Sequence, residues 1–144
     1  MTFTADEVAY LGSQPLARLA TAGDEEQPDV SPVGFEFDGS VFWVGGRDLR
    51  ATRKLRNVEA GRTKVALVVD DLVTTDPWTP RFLRVYGVAE VVERVGRFGP
   101  GTYLKITPMV SWSWNLAGRP VGEVYSQPPR RTRHGDPADS GDAD

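Results

Sequence analysis

The sequence predicts a mainly β fold, a six-stranded antiparallel barrel, closed or split, with a short N-terminal helix and one inserted helix. Three observations predict it: short stretches in which apolar residues alternate, turn residues between those stretches, and one segment with helical spacing after the third stretch. Strands and helices do not alternate along the chain as they do in a parallel α/β sheet. A barrel also leaves few sheet edges open to pairing with other chains.

The N-terminal third of the chain predicts a helix followed by three strands. Thr4-Ala5-Asp6-Glu7 has the pattern of a capping box, which starts a short helix that runs to about Leu11. Asp38-Gly39 is a strong hairpin signal, because both residue types tolerate positive φ. The three strands form a predicted antiparallel meander, residues 16–21, 28–37 and 41–44.

The middle of the chain predicts the inserted helix and the remaining strands. Asp48 is the expected cap of a helix over residues 48–60, and Gly61 is its expected C-terminal glycine. Two prolines assign residues 70–80 to a loop, and Pro108 ends the last strand. The strands predicted here are residues 65–69, 82–95 and 103–106.

Composition excludes several functional classes. A length of 144 residues fits one domain, and a net charge of −3 with a pI of about 5.2 disfavours nucleic acid or an anionic membrane as the main partner. The absence of cysteine excludes disulfides, thiolate catalysis and Cys-based zinc sites. His134 is the single histidine, so we expect no metal site and name no catalytic side chain.

The two ends of the chain give predictions about location and about disorder. Residues 1–9 contain two acidic side chains and no long apolar run, so we expect neither a signal peptide nor a membrane span, and a cytoplasmic location. From about residue 127 the chain is rich in Pro, Arg, Gly and Asp, and we expect it to be disordered. The predicted division is a cofactor-binding domain over 1–118 and an extension over 119–144.

The densest chemical signal is a basic segment. Five cations follow Gly45-Gly46 within about ten residues, and Thr52 adds a hydroxyl. At helical spacing Arg50, Arg53, Lys54 and Asn57 share one face, which suits a phosphate group. The alternative is a solvated basic helix face.

Weaker signals come from glycine, acidic and tryptophan positions. Gly34, within Pro32-Val33-Gly34-Phe35, marks either the close approach of a ligand or a bulge. Asp70-Asp71 indicates either a metal half-site or a turn with an Asx cap. Trp78 is either a lid over a planar ligand or a packing anchor, and Trp114 indicates burial against the barrel, a second subunit or a ring.

These motifs, in this order, resemble the pyridoxamine-phosphate-oxidase-like split-barrel flavoproteins. Within that family the chain is most similar to an actinobacterial branch that uses the deazaflavin coenzyme F420 and includes reductases of tetracycline-type antibiotic pathways. The resemblance covers residues 3–116. It departs from the branch at Met109 and Val110, where two basic residues are common, and in the tail beyond Leu116.

The resemblance implies a homodimer with two cofactor sites at its interface and a small organic molecule as substrate. By the same resemblance, Thr52, Arg53 and Lys54 would bind the phosphate. The other cofactor-binding residues that it implies are Pro32, Val33, Gly34, Phe35, Gly45, Gly46, Asn57, Trp78 and Trp114.

The leading hypothesis is an F420-dependent reductase that passes a hydride to an activated double bond. One alternative is an FMN-binding oxidase or flavin reductase of the same fold, because a lone phosphate is compatible with either cofactor. A second alternative is a non-catalytic cofactor carrier, since no catalytic side chain stands out.

Overall fold

A computed structural model describes residues 2–46 and 48–135, which form a curved antiparallel sheet and three helices. The helices are α1 (Ala5–Ser13), α2 (Arg53–Glu59) and α3 (Val121–Val124), with 3₁₀ turns at Asp24–Glu26 and Leu49–Ala51. The strands are β1 (Leu16–Ala22), β2 (Pro28–Gly34), β3 (Glu36–Phe37), β4 (Phe42–Val44), β5 (Lys64–Thr75), β6 (Trp78–Gly96), β7 (Gly99–Trp114) and β8 (Arg130–Arg133).

The strand order makes this sheet a split barrel. The order is β2-β1-β5-β6-β7-β4-β3, and β8 also pairs with β7. The predicted antiparallel split barrel is confirmed, with eight strands in the described part of the chain instead of six, and the sheet is not closed.

The two antiparallel pairings of the predicted meander are present, but its middle strand is not continuous. The extended run over residues 28–37 is two strands, and they lie at opposite edges of the sheet. The chain crosses between them at Phe35, whose ring is buried in the core. The barrel curvature brings the two edges near each other, so one residue is enough to pass from β2 to β3.

The long hairpins extend through segments that the sequence assigned to loops. Residues 70–80 belong largely to β5 and β6, and β7 continues past Pro108 to Trp114. Tyr86 pairs with Val110 and Gly87 with Pro108, so Met109 is the extra residue of a bulge. The bulge accommodates a proline that has no N–H to donate to the ladder.

The inserted helix is shorter than predicted and has a different cap. Asp48 has a φ of +61° and makes no side-chain cap, because a 3₁₀ turn follows it. The Thr52 hydroxyl caps α2 instead: it accepts from the Leu55 amide at 3.4 Å and donates to the Leu49 carbonyl at 2.5 Å. Gly61, with a φ of +100°, follows the helix as expected.

The prediction of disorder from about residue 127 is wrong for residues up to 135. Strand β8 pairs with Val110–Ser113 of β7, and Thr132 and His134 are buried. On β7, strand β4 pairs only with residues 104–106. Strand β8 therefore covers the part of the β7 edge at residues 110–113 that would otherwise be open. Residues 136–144 lie outside the described part of the chain, and the domain boundary at residue 118 stays a prediction.

Helix α1 is attached to the sheet at both ends. The predicted capping box is present, with the Thr4 amide 2.9 Å from a Glu7 carboxylate oxygen. The other Glu7 oxygen accepts from the Ser113 hydroxyl at 2.5 Å, so the cap is bonded to β7. Tyr10 donates its hydroxyl to Asp71 at 2.7 Å.

Asp71 belongs to an ion pair within the β5–β6 hairpin, and the predicted turn at Asp70-Asp71 is wrong. Asp71 pairs with Arg81 in register, and the guanidinium donates to both carboxylate oxygens at 3.0 and 2.7 Å. Arg81 thereby lowers the pKa of Asp71, and burial together with Asp71 raises the pKa of Tyr10. The cluster fixes α1 to the hairpin.

We expect Asp71→Asn to reduce the free energy of unfolding by about 1–3 kcal/mol at pH 7, because the ionised carboxylate binds Arg81 and Tyr10. A folded-state pKa below the unfolded value of about 3.9 gives stability that is present above that value and is lost as the pH falls through the folded pKa. The difference in free energy of unfolding between variant and wild type should therefore stay constant down to about pH 5 and become smaller below about pH 4. Urea unfolding at several pH values measures it.

The matched control is Asp70→Asn, because Asp70 makes a longer, more exposed ion pair with Arg18 at 3.4 Å. A loss of unfolding free energy in Asp71→Asn that does not change with pH, or that equals the loss in Asp70→Asn, would contradict the stabilising role of the Asp71 carboxylate.

Candidate functional site

The outer face of the sheet, the side turned away from the core, carries a row of arginines. Directly opposite residues of an antiparallel sheet share a face. The register aligns Arg18 of β1 with Val68, Val68 with Arg84 of β6, Arg84 with Trp112 of β7, and Trp112 with Arg131 of β8. We call Arg18, Arg84 and Arg131 the arginine row.

Arg84 lies at the centre of this row between two aromatic rings. Its guanidinium carbon is 4.3 Å from the centre of the Trp112 ring and 5.5 Å from that of Tyr86. Its Nε is buried and has no acceptor among the described residues. A buried donor without a partner costs about 1–3 kcal/mol.

An apolar groove adjoins the arginine row on the same face. It has a volume of about 630 Å³, and its mostly apolar lining includes Ala20, Ala66, Tyr86, Val88 and Met109. Tyr86 and Val88 are exposed, and Val30 of the neighbouring edge strand is 66% exposed. We call this the outer-face groove, and its apolar character favours a ring or a protein surface as its occupant.

The structure leaves two of the predicted phosphate-binding residues available. Arg53 is exposed and Lys54 half-buried at the start of α2, and no described carboxylate lies within 4.0 Å of either. Arg50 instead forms ion pairs with Glu59 at 3.1 Å and Glu93 at 3.7 Å. The Thr52 hydroxyl is occupied by its capping bonds.

The prediction that Asn57 shares an exposed face with Arg53 and Lys54 is wrong. Asn57 is buried, and its side-chain amide donates to the Thr21 hydroxyl at 2.9 Å. Because Thr21 belongs to β1, this bond holds α2 against the sheet.

The predicted ring-contacting residues face different ways. Val33 and Phe35 are buried in the core, and Phe35 also lines a cavity of about 650 Å³ between helix α1 and Arg97. Pro32 is exposed and opposite Arg18. A Cβ on Gly34 would be 3.3 Å from the ring of Phe98, a tight contact for any side chain at this position.

Gly45 and Gly46 differ in what they require. A Cβ on Gly45 would collide with the ring of Tyr103, so Gly45 lets that buried ring pack against the backbone. Gly46 has a φ of +134° and open space around it, so the backbone conformation, and not a steric contact, favours glycine there.

The two predicted tryptophans lie far from α2 within one protomer. Trp78 begins β6 and is 52% exposed, whereas the ion pair of Arg50 with Glu93 places the start of α2 near the other end of β6. Trp114 stacks on Phe82 with ring centres 6.1 Å apart and donates its indole N–H to the Gln127 carbonyl at 2.8 Å. It is therefore on the outer face, two residues from Trp112.

Sequence reasoning missed Arg84, Trp112 and Arg131. The signal for Arg84 was available, because it stands at a polar position of an alternating strand and must point away from the core. Trp112 lies beyond Pro108, where the last strand was predicted to end. Arg131 lies in a segment that was predicted from its composition to be disordered.

Other site types find no support in the described residues. Across residues 2–46 and 48–135, no three His, Cys, Asp or Glu side chains gather in a way that could hold a metal ion. In the same ranges, no helix is long and apolar enough to cross a membrane.

Comparison with known proteins agrees with the split barrel. The chain is 40% identical over 124 residues to a 5a,11a-dehydrotetracycline/5a,11a-dehydrooxytetracycline reductase of Streptomyces rimosus, covering 82% of this chain and 87% of the relative. A conserved hypothetical protein of Mycobacterium tuberculosis superposes with a TM-score of 0.63 at 21% identity, covering 96% of each chain.

Two further solved structures share the fold at low identity. One, a protein of Clostridium acetobutylicum related to general stress protein 26, has a TM-score of 0.60 at 13% identity, covering 88% of this chain and 90% of its own. The other, described as an F420 reductase, has a TM-score of 0.53 at 21% identity, covering 68% and 90%. A profile of the pyridoxamine 5'-phosphate oxidase family matches residues 3–122. The chain therefore belongs to the pyridoxamine 5'-phosphate oxidase family.

Proposed function

We propose that this protein is a reductase that uses reduced F420 to add a hydride to an activated carbon–carbon double bond of a polycyclic organic substrate. The observation that carries the proposal is the 40% identity to a reductase of dehydrotetracyclines over most of both chains. The same identity supports an oxidoreductase of this family.

The start of α2 fits the phosphate of such a cofactor. Arg53 and Lys54 are adjacent cations that no described carboxylate neutralises, whereas Arg50 is paired. An unpaired guanidinium beside an ammonium group favours a phosphate through charge-assisted hydrogen bonds. In F420 the deazaflavin ring supplies the hydride when the cofactor is bound.

The choice of F420 over FMN is supported by the chain's relatives. The S. rimosus protein is named a reductase, and one structure that shares the fold is described as an F420 reductase. A structure with the same fold is described as an FAD-binding protein, so a flavin remains the competing cofactor in the experiment below.

The protein's own contribution is binding, orientation and exclusion of water. No side chain is assigned as the acid, and the proton comes from water. The edge backbone of β2 can face a ring with N–H groups that β1 does not use. The aromatic rings of Trp112 and Trp114 add a flat apolar surface.

A homodimer is part of the proposal. The outer-face groove and the exposed side chains of Val30 and Val88 form an apolar surface that a second copy would bury. Within one protomer Trp78 is remote from α2, and a dimer offers a way for the loop of one copy to approach α2 of the other.

We expect Arg53→Ala combined with Lys54→Ala to weaken F420 binding at least about tenfold, because two charge-assisted contacts to the phosphate are lost. Tryptophan fluorescence during titration with F420, and separately with FMN, measures the affinities. Arg56→Ala is the control, an exposed cation on the same helix.

Unchanged affinity in the double variant would overturn the phosphate assignment. Tighter binding of FMN than of F420 to the wild type would replace the proposed cofactor with the flavin. Tight F420 binding with no reduction of any dehydrotetracycline would favour a cofactor carrier.

We expect Val88→Glu to convert the dimer into a monomer, because it places a charge in the centre of the apolar surface. Sedimentation velocity measures the mass of each species in solution. The matched control is Val95→Glu, since Val95 is on the same strand, is 77% exposed and lies near the hairpin end. A wild-type protein that sediments as a monomer would contradict the dimer.

A further inference from the structure

We propose that the cavity between helix α1, strand β3 and Arg97 is a further ligand site, which binds a small molecule with an apolar body and one carboxylate group. The cavity has a volume of about 650 Å³. Small-molecule sites in proteins have volumes of roughly 300–1,000 Å³. Arg53 and Lys54 do not line this cavity, so the inference goes beyond the proposed cofactor site. We call it the α1 cavity.

The apolar lining of the α1 cavity comes from α1 and from the crossing between β2 and β3. Leu11 and Phe35 are almost fully buried there, whereas Val8 is 41% exposed and Phe37 is half-buried. A ligand that covers the exposed parts of Val8 and Phe37 removes apolar surface from water, which favours binding. The apolar body of the ligand would therefore lie against α1.

The tip of the β6–β7 hairpin holds Arg97 at the α1 cavity. The Tyr103 hydroxyl accepts from the Phe98 amide at 3.0 Å, which fixes the tip. The Arg97 amide donates to a Glu36 carboxylate oxygen at 3.3 Å, and the Arg97 guanidinium donates to the Phe35 carbonyl at 3.4 Å. Arg97 is exposed, and the guanidinium has further N–H groups to donate. Because its backbone is already fixed, Arg97 can bind a ligand with little further loss of entropy.

The two carboxylates that line the α1 cavity are bonded within the protein. Asp38 accepts from two backbone amides of its own turn at 3.0 and 2.9 Å and from the Trp43 indole N–H at 2.9 Å. Although partial burial opposes it, these bonds lower the pKa of Asp38 to about 2. Glu36 has Arg94 as its cation at 3.7 Å. Neither carboxylate therefore needs a ligand as a partner.

Arg97 is the cation of the α1 cavity whose charge is not compensated. Among the residues that the structure describes, no carboxylate lies within 4.0 Å of its guanidinium. A carboxylate on the ligand would accept charge-assisted hydrogen bonds from it. The C-terminal end of α1 has the opposite electrostatic effect, so the experiment includes a cationic analogue.

The test uses calorimetry on the full-length protein without F420 to measure binding of octanoate, uncharged octanamide and octylammonium. We expect octanoate to bind about tenfold more tightly than octanamide, because only octanoate pairs with the guanidinium. Arg97→Gln should remove this preference, and Arg97→Lys should retain part of it. Arg56→Gln is the matched control, because Arg56 is also exposed but does not line the cavity.

A second variant tests the cavity itself. A Cβ on Gly12 would have no other atom within 4 Å, so Gly12→Leu places a side chain at the cavity lining without a clash. We expect Gly12→Leu to weaken binding of both octanoate and octanamide about tenfold or more, because it occupies part of the volume. Gly122→Leu is the matched control, a helical glycine that has equally open surroundings and does not line this cavity.

The outcomes separate this inference from the proposed function. The Arg53 and Lys54 double variant should bind octanoate as the wild type does, and octanoate binding that depends on Arg97 and Gly12 supports the inference even in a protein that binds no F420. No octanoate binding, or octylammonium binding at least as tight as octanoate binding, would overturn it. An unchanged preference in Arg97→Gln, or equal affinities of Gly12→Leu and Gly122→Leu, would do the same.

Discussion

The long antiparallel pairing of β6 with β7 is the interaction on which the other elements depend. It runs in register from Phe82 opposite Trp114 to Gly96 opposite Gly99, and every other strand except β1, β2 and β3 pairs directly with one of the two. The bulge at Met109 keeps this pairing continuous past Pro108, a residue that cannot donate a hydrogen bond. Because the pairing continues for so long, it fixes which side chains of the three strands that pair with it, β4, β5 and β8, share a face. The arginine row exists only as a consequence of that register.

The helices adapt to this sheet and are attached by polar contacts that are buried or partly buried. Helix α1 is joined through Glu7 to Ser113 and through Tyr10 to the Asp71 and Arg81 pair. Helix α2 buries Leu55 in the core and donates from Asn57 to β1. These attachments orient the start of α2 so that Arg53 stays exposed. Asn57, which the sequence suggested as a ligand-binding residue, thus positions the residues beside it in α2.

The barrel and the C-terminal segment both contribute to the outer face of the sheet. The segment matched by the family supplies the cations of α2 and the aromatic surface of β6 and β7. The extension supplies β8, which protects the open edge of β7 and presents Arg131 on the outer face. A strand added at a sheet edge can change the chemistry of a face without disturbing the core, because its side chains alternate between the two sides.

The sequence by itself determined the features that depend on neighbours along the chain. The capping box of Thr4 and Glu7, the Asp38-Gly39 hairpin and the glycine after α2 are local, and motif order was enough to identify the split barrel and the family. Only the tertiary structure decided the separation of β2 from β3, the passage of β7 through Pro108, the inward turn of Asn57 and the row of Arg84, Trp112 and Arg131. These depend on the register between segments that are distant in sequence, and composition and periodicity carry no information about which distant strands will pair.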